Sequence, residues 1–155
     1  MARQSSGILL YRFSGKQLQF LLVHPGGPFF RNKDDGSWSV VKGEFTDDED
    51  PLTAAKREFL EETGQPINGK FIELEPIVQK GGKKVYAWAV EADIDPEAIK
   101  SNLFEIEWPP KSGRKEAFPE IDRAAWFETE TAKMKINPAQ ISLLEGLSHV
   151  LSTSQ

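Results

Sequence analysis

The sequence predicts an α/β fold in a single domain. Strand-like apolar runs alternate with helix-like segments along the chain, and no repeats or low-complexity segments interrupt them. The length of 155 residues is that of one domain with enough chain to bury a core. Hydrophobic residues at 39% and charged residues at 28% are the ordinary balance of a globular protein. We therefore expect residues 1–155 to form one domain.

The N-terminal part of the chain predicts a β-hairpin, a long loop and a short strand. Residues 6–13 and 19–24 are apolar, strand-like runs that are joined across the sequence SGK. Residues 25–36 are polar and rich in glycine, and this segment is too long for a tight turn. It is therefore a candidate substrate loop. Residues 38–41 predict a short strand that leads directly into the next segment.

The segment GEFTDDEDPLTAAKREFLEETG, residues 43–64, predicts a loop followed by a helix. Asp50 is suited to the N-cap and Pro51 to the first helical position. Gly64 suits a left-handed position at the helix end, and Pro66 prevents continuation. The helix should therefore run over Pro51–Thr63. Its apolar face, which should pack on a sheet, consists of Leu52, Ala55 and Phe59.

The second half of the chain predicts another hairpin and further short elements. Residues 71–79 and 84–92 are strand-like and flank the turn sequence KGGK. Residues 111–120 have no apolar pattern and are expected to form a long loop, after which residues 125–128 predict a short strand.

The C-terminal part predicts helical structure. Residues 131–135 predict a brief helical turn, and Asn137 with Pro138 is the start signal of a last amphipathic helix. The apolar stripe of this helix comprises Ile141, Leu144, Leu147, Val150 and Leu151. These aliphatic side chains are expected to belong to the core.

Three glutamates, Glu58, Glu61 and Glu62, lie at i, i+3 and i+4 near the C-terminal end of the predicted helix. At about 100° per residue they fall within one third of the helix circumference. Like charges at these spacings repel by roughly 0.2–0.5 kcal/mol per pair, and the negative end of the helix dipole adds to the repulsion. A divalent cation such as Mg²⁺, which prefers hard oxygen ligands, would turn repulsion into binding. Glutamates on helices are more often a solvated face, so the surrounding pattern must decide.

That surrounding pattern resembles the Nudix (MutT-like) box, G-x5-E-x7-R-E-U-x-E-E-x-G-U, in which U is a bulky apolar residue. The matching positions are Gly43, Glu49, Arg57, Glu58, Phe59, Glu61, Glu62 and Gly64. Gln65 departs from the last position, which concerns packing beside the helix end rather than chemistry. The resemblance implies the Nudix fold, a mixed β-sheet sandwiched between α-helices (α/β/α). It also implies a hydrolase that acts on phosphoric anhydride bonds.

The resemblance assigns roles to several box residues. The residues that would hold Mg²⁺, for which Mn²⁺ can substitute, are Gly43, Glu58, Glu61 and Glu62. Gly43 lacks a Cβ, which would let backbone oxygens of the loop approach the metal. In relatives an arginine at the position of Arg57 orients the glutamates, and here it can pair with Glu61 or fold back to Glu49. Glu58, Glu61 and Arg57 are therefore candidate catalytic residues.

A general base outside the helix is also expected, since the box glutamates can all be engaged with metal. Glu120 is the first candidate, because its position six residues before Trp126 resembles the glutamate that reaches the metal site in relatives. An ordinary exposed loop glutamate is the alternative. Glu116 is the next candidate, and Glu58 is the rival base within the box.

Substrate contacts are predicted from residues outside the box. Lys42, directly before Gly43, is suited to hold a phosphate oxygen, although a solvated surface lysine is the alternative. Trp38 and Tyr86 are candidates for stacking on a base, with core packing as the alternative. His24, at a strand end, is expected to be structural. Positive charges on the two long loops, which could neutralise a polyphosphate, come from Arg31, Lys33, Lys111, Arg114 and Lys115.

Composition excludes several classes of function. The net charge of −5 argues against binding of nucleic acid polymers. The chain has no cysteine and two histidines, so a disulfide framework, a thiol nucleophile and a histidine metal cluster are excluded. No apolar run reaches membrane length and the start lacks a signal-peptide core, so we expect a cytoplasmic protein without a membrane partner.

The predicted function is hydrolysis of a nucleoside diphosphate linked to a moiety X. Short pieces around Trp38 and Tyr86 look like the diadenosine tetraphosphate hydrolase branch, although Val41 replaces a usual proline. A dinucleoside polyphosphate or nucleoside triphosphate is the expected substrate, with nucleotide sugars and ADP-ribose as the alternative. A domain of the same fold that binds nucleotides without turnover is an alternative of a different class.

Overall fold

The structure, a computed structural model, describes residues 3–153 and consists of a large sheet with helices on both faces. The strands are β1 (Gln4–Ser14), β2 (Gln17–Pro25), β3 (Val41–Glu44), β4 (Ile72–Gln79), β5 (Lys83–Glu91), β6 (Leu103–Glu107), β7 (Lys115–Pro119) and β8 (Ile121–Glu128). The helices are α1 (Pro51–Thr63), α2 (Thr129–Lys135) and α3 (Ile141–Thr153). Within residues 3–153, no helix is long and apolar enough to cross a membrane.

The large sheet is mixed, as predicted. Its strand order is β4-β5-β1-β2-β8, and β3 pairs with the N-terminal half of β1. The central pair β1–β5 is parallel, whereas β1–β2, β1–β3, β2–β8 and β4–β5 are antiparallel. β6 and β7 form a separate two-stranded sheet. The predicted α/β/α arrangement is confirmed.

Alternation along the central strands produces two cores, one on each face of the sheet. Ile8 and Leu10 of β1 point to the face that α1 covers, where Phe59 is fully buried. Leu9 and Tyr11 point to the opposite face, which α2 and α3 cover. We call these the α1 face and the α3 face. Of the predicted stripe on the last helix, Leu144 and Leu147 are fully buried, and Ile141, Val150 and Leu151 are partly buried.

Helix α1 has the bounds that the sequence predicts. The Asp50 carboxylate accepts a hydrogen bond from the Thr53 amide at 3.1 Å, which caps the first turn. Gly64 has φ +72° and its amide donates to the Leu60 carbonyl at 2.8 Å, which ends the helix in a left-handed residue. Ala55 and Phe59 pack on the sheet with Leu52 beside them, as predicted.

The two predicted hairpins are confirmed to within two residues at their strand ends, but other bounds differ. The short strand expected at residues 38–41 begins later, as β3, because Trp38 and Ser39 form only isolated bridges. β8 begins four residues earlier than expected, and α2 begins two residues earlier. These extensions carry polar residues that tertiary pairing, rather than an apolar pattern, holds in place.

The prediction of a long loop at residues 111–120 is wrong. Residues 115–119 form β7, which pairs with β6 in register Leu103↔Pro119 through Glu107↔Lys115. None of residues 101–120 is buried, and β7, with the sequence KEAFP, has no alternation of apolar and polar residues. Charged residues fill many of its positions, which gives the segment the composition of a loop.

Candidate active site

The first glycine of the box lies directly against a carboxylate of α1. β3 and α1 both pack on the N-terminal half of β1, where the Ser6 hydroxyl donates to the Pro51 carbonyl. A Cβ added at Gly43 would overlap the carboxyl group of Glu58. Only glycine therefore allows the backbone of β3 and this carboxylate to approach so closely.

A second contact joins α1 to the junction between β7 and β8. Glu62 is 7% exposed and lines one cavity with Glu120, whose carboxyl group is near enough to raise the pKa of Glu62. The backbone of Glu120 is fixed on both sides: its amide donates to the Asn102 carbonyl at 2.8 Å, and its carbonyl accepts from the Gly26 amide at 2.9 Å. The sequence predicted that Glu120 lies in a long loop. In the structure it is instead the single residue between β7 and β8.

The buried carboxyl groups resist ionisation. Burial raises the pKa of Glu58, and the Arg57 guanidinium opposes this effect only in part. Burial, together with the neighbouring charges of Glu120 and Glu58, raises the pKa of Glu62 to about 8. The cluster therefore binds protons readily when nothing else compensates its negative charge.

Arg57 connects the carboxylates on the outer side of α1. Its Nε and Nη2 atoms each lie 2.8 Å from an oxygen of Glu49, in a bidentate pair. Its Nη1 atom lies 2.9 Å from Glu58 and 2.7 Å from Glu61. The hydrogen bonds raise the pKa of Arg57 and lower the pKa of Glu49. Both partners that the sequence left open for Arg57, Glu49 and Glu61, are thus in contact with it.

The box glutamates fit a hard cation in chemistry, although they are not arranged as a closed site. Within residues 3–153, no group of three or more His, Asp or Glu side chains has the spacing of a metal site. Glu61 is paired with Arg57 and its side chain is 43% exposed, whereas Glu62 is buried. The donors are nevertheless all carboxylate oxygens, and the missing side chain of Gly43 lets the Glu58 carboxyl group lie directly against the backbone of β3.

A cavity of about 190 Å³ opens beside this cluster. Its carboxylate wall consists of Glu62 and Glu120. The remaining lining residues are Val23, Pro25, Ser39, Val40, Val41, Lys42 and Ile121. Pro25 is the first residue of the candidate substrate loop, residues 25–36, whereas the sequence did not indicate Ser39 as a site residue, because nothing in the local pattern reveals which segments meet at one cavity.

Lys42 lines this cavity, but strand pairing directs its side chain to the α3 face. It pairs with Gly7, whose neighbours of the same parity in β1 belong to the α3-face core, whereas Gly43 pairs with Ser6 on the α1 face. Burial and the adjacent Lys83 ammonium lower the pKa of Lys42 to about 8. The charges that act on it are therefore Lys83 and Glu44, and its contact with phosphate stays a prediction.

Trp38 and Tyr86 differ in their availability for stacking. Trp38 is 4% exposed, its ring packs edge-on against His24 and Phe127, and its indole N–H donates to Asp34 at 2.8 Å. These are the contacts of a core residue, which was the alternative interpretation. Tyr86 is half-buried on the α1 face and packs against Phe45. Base stacking by either ring stays a prediction.

His24 is fully buried and holds three parts of the fold together. Its Nδ1 atom lies 2.7 Å from the Asp122 carboxylate of β8, and its Nε2 atom lies 2.6 Å from the Lys33 carbonyl in the long loop. Its ring also contacts Trp38. These contacts are structural, as the sequence predicted for this histidine.

Comparisons with known proteins agree with the geometry. A family model of the NUDIX domain matches residues 1–147. No curated protein sequence matches the chain at a significant level.

Several solved structures share the fold over nearly the whole chain. The Ap4A hydrolase of C. elegans is 22% identical, with a TM-score of 0.65 over 97% of this chain and 99% of that protein. The NUDIX domain of Shewanella oneidensis NrtR, complexed with ADP ribose, is 15% identical with a TM-score of 0.66 over 97% and 89%. A mutT/nudix family protein of Listeria innocua is 17% identical with a TM-score of 0.62 over 98% and 95%. At these identities the likeness concerns the fold.

Proposed function

The chain belongs to the NUDIX family of hydrolases, and from that premise we propose that it is a Mg²⁺-dependent pyrophosphohydrolase. The substrate class is a nucleoside diphosphate linked to a moiety X, with a dinucleoside polyphosphate or a nucleoside triphosphate as the preferred member. The observation that carries the proposal is the contact of buried Glu62 with Glu120 at the wall of a cavity, with Glu58 close by.

In the absence of a cation, the ionised carboxylate cluster destabilises the folded protein. Mutual repulsion and burial both oppose ionisation of Glu58 and Glu62. A purely structural role would be served better by apolar or amide side chains, which carry no such cost. Clusters of titratable groups with perturbed pKa values beside a cavity are typical of active sites.

The residues that would hold Mg²⁺ are Glu58, Glu61 and Glu62, together with the backbone of Gly43. When bound, the ion supplies neutralisation of the substrate's phosphate charge and a more acidic water. Arg57 keeps Glu58 and Glu61 in position, since it contacts both carboxylates and is itself fixed by Glu49.

The proton of the attacking water goes to a carboxylate at the same cavity. Glu120 is our first choice, because its backbone is fixed from two sides and its carboxyl group reaches Glu62. Glu58 is the rival, since it lies at the backbone of Gly43. Glu116, the other loop glutamate considered, lies in β7 opposite Ile106 and does not line the cavity, so we set it aside.

The test is a panel of nucleotide substrates in Mg²⁺, with products identified by phosphorus NMR and with oxygen-18 water to locate the attacked phosphorus. We expect asymmetric cleavage of diadenosine tetraphosphate or of a nucleoside triphosphate, with the label on one product. Rapid turnover of a nucleotide sugar or ADP-ribose, with the polyphosphates inert, would move the substrate to the alternative. Nucleotide binding without turnover of any member would contradict the enzyme assignment itself.

A further inference from the structure

Aromatic rings collect on a part of the molecule in which no side chain is fully buried. Phe29 and Trp108 are in edge-to-face contact with their centroids 5.6 Å apart, and Phe104 and Phe118 pack at 6.1 Å. Phe29 is nevertheless 60% exposed and Phe30 is 36% exposed. We call residues 26–30 together with the β6–β7 hairpin the aromatic arm.

Two glycines allow the long loop to pack closely against the β6–β7 hairpin. A Cβ on Gly26 would overlap the Pro119 carbonyl oxygen, and a Cβ on Gly27, at φ +97°, would lie 2.8 Å from the Phe104 ring. The Gly26 amide also donates to the carbonyl of Glu120. The position of the Phe29 and Trp108 rings is therefore set by backbone contacts rather than by burial of the rings themselves.

The aromatic arm is continuous with the carboxylate cavity. Pro25 and Glu120, which line that cavity with Glu62, are the residues from which the loop and the hairpin depart. Phe29 is four residues beyond Pro25, so its backbone lies at most about 14 Å from the cavity wall. A ligand whose phosphates occupy the cavity therefore has these rings within reach of the group attached to the phosphates.

We infer that Phe29 and Trp108 form a stacking platform for a nucleobase of the substrate, next to the phosphate end of the site. This inference rests on the proposed function and specifies its substrate class: an aromatic base is recognised by its flat face rather than by polar readout. The chemistry of the surroundings agrees, because the Lys33 ammonium lies 5.4 Å from the Phe30 ring centroid and can face the phosphates of a stacked nucleotide. Substrates without a base lose this contact.

The experiment measures binding apart from turnover. Adenosine diphosphate and inorganic pyrophosphate are titrated into the full chain by calorimetry, with wild type, Phe29→Ala and Phe13→Ala compared. Phe13 is a matched control, since it is 45% exposed on β1 and packs against Tyr11. Quenching of tryptophan fluorescence by adenosine diphosphate is followed in parallel, with Trp108→Phe as the variant that removes the reporter from the arm.

We expect Phe29→Ala to weaken adenosine diphosphate binding about 10-fold or more, because one stacked base contributes that much affinity, and to leave pyrophosphate binding and the melting temperature unchanged. Phe13→Ala should bind both ligands as wild type does. Trp108→Phe should lose most of the quenching. The same loss should appear in the KM for diadenosine tetraphosphate.

Three results would overturn the inference. Equal binding of adenosine diphosphate by wild type and Phe29→Ala is one, and an equal loss for both ligands is another. A third is dissociation of a wild-type dimer by Phe29→Ala in sedimentation, since a second copy of the chain would then cover the rings. Selective loss of adenosine diphosphate binding in an enzyme that hydrolyses no nucleotide would instead support the platform and contradict only the proposed reaction.

Discussion

The box helix and the aromatic arm meet at Glu120 but are built in opposite ways. α1 is capped at both ends, and its apolar face is buried on the sheet with Phe59 fully enclosed. The arm has no buried side chain between residues 101 and 120 and leaves Phe29 largely exposed. Rigid burial in α1 holds charged groups at fixed positions in spite of their repulsion. The exposed arm has surface to offer a ligand, so we expect chemistry to depend on the first region and substrate choice on the second.

The largest effect should come from the box glutamates. Glu62→Gln or Glu61→Gln should lower turnover roughly 100- to 1000-fold, because each removes charge that would hold the metal against the substrate's phosphates. Steady-state kinetics in Mg²⁺ and in excess EDTA measure this effect. Glu73→Gln, an exposed glutamate of β4, is the control and should be active. Full wild-type activity in EDTA would rule out the metal assignment.

Substitution of Glu120 tests whether the residues that carry out the chemistry are confined to the box helix. Glu120→Gln should lower kcat at least ~100-fold if this residue takes the proton, the lower end for loss of a general base, while KM changes much less. Glu116→Gln, on the exposed side of the hairpin, should have little effect. Near-normal turnover of Glu120→Gln would return the role of base to Glu58 and confine the chemistry to the box.

The sequence predicted the box side of this comparison more closely than the arm. Caps, spacing and helical periodicity are local, so α1 was predicted with its bounds, and the carboxylates with them. The contact of Glu62 with Glu120 joins positions 58 residues apart and depends on the Gly26 and Asn102 backbones, which no local pattern encodes. The arm was predicted as loops, because its hairpin buries nothing and its rings pack on each other across sequence gaps.

Strand parity explains the direction of the Lys42 side chain. Lys42 and Gly43 are neighbours in sequence, but successive side chains in a strand point to opposite faces. Sequence adjacency to the box thus suggested a phosphate contact, whereas pairing with Gly7 turns Lys42 toward Lys83.

Substitution of Gly43 tests whether the close contact between its backbone and the Glu58 carboxyl group is needed for activity. Gly43→Ala should lower kcat/KM about 10- to 100-fold, because the added Cβ would displace the Glu58 carboxyl group, and small displacements in an active site are costly. Gly146→Ala is the matched control: it lies in α3 with open space around it and should stabilise the fold by about 0.5–1 kcal/mol. Unchanged kcat/KM in Gly43→Ala would mean that Glu58 is free to move without loss of function.

The smallest expected effect is on the stability of the folded protein, and it measures what burial of the Glu62 carboxyl group costs. Burial raises the pKa of Glu62 to about 8 in the folded protein, above its ordinary value of 4.5. The folded state therefore binds a proton that the unfolded state does not between these two pH values, so the metal-free protein becomes less stable as pH rises from 4.5 to 8. Glu62→Gln removes this proton uptake.

Thermal melts in EDTA at pH 5.5 and pH 8 should therefore separate the two proteins. At pH 8 we expect Glu62→Gln to melt at least about 3 °C above wild type, since even one unit of the pKa shift corresponds to about 1.4 kcal/mol and one kcal/mol to about 2–4 °C in a chain of this size. The difference should shrink at pH 5.5, where wild-type Glu62 is protonated. Added Mg²⁺ should raise the wild-type melting temperature at pH 8 more than that of the variant. A Glu62→Gln variant that melts below wild type at both pH values would contradict this prediction. Glu62 would then stabilise the fold by its own contacts, and repulsion from the neighbouring carboxylates would not destabilise the metal-free protein.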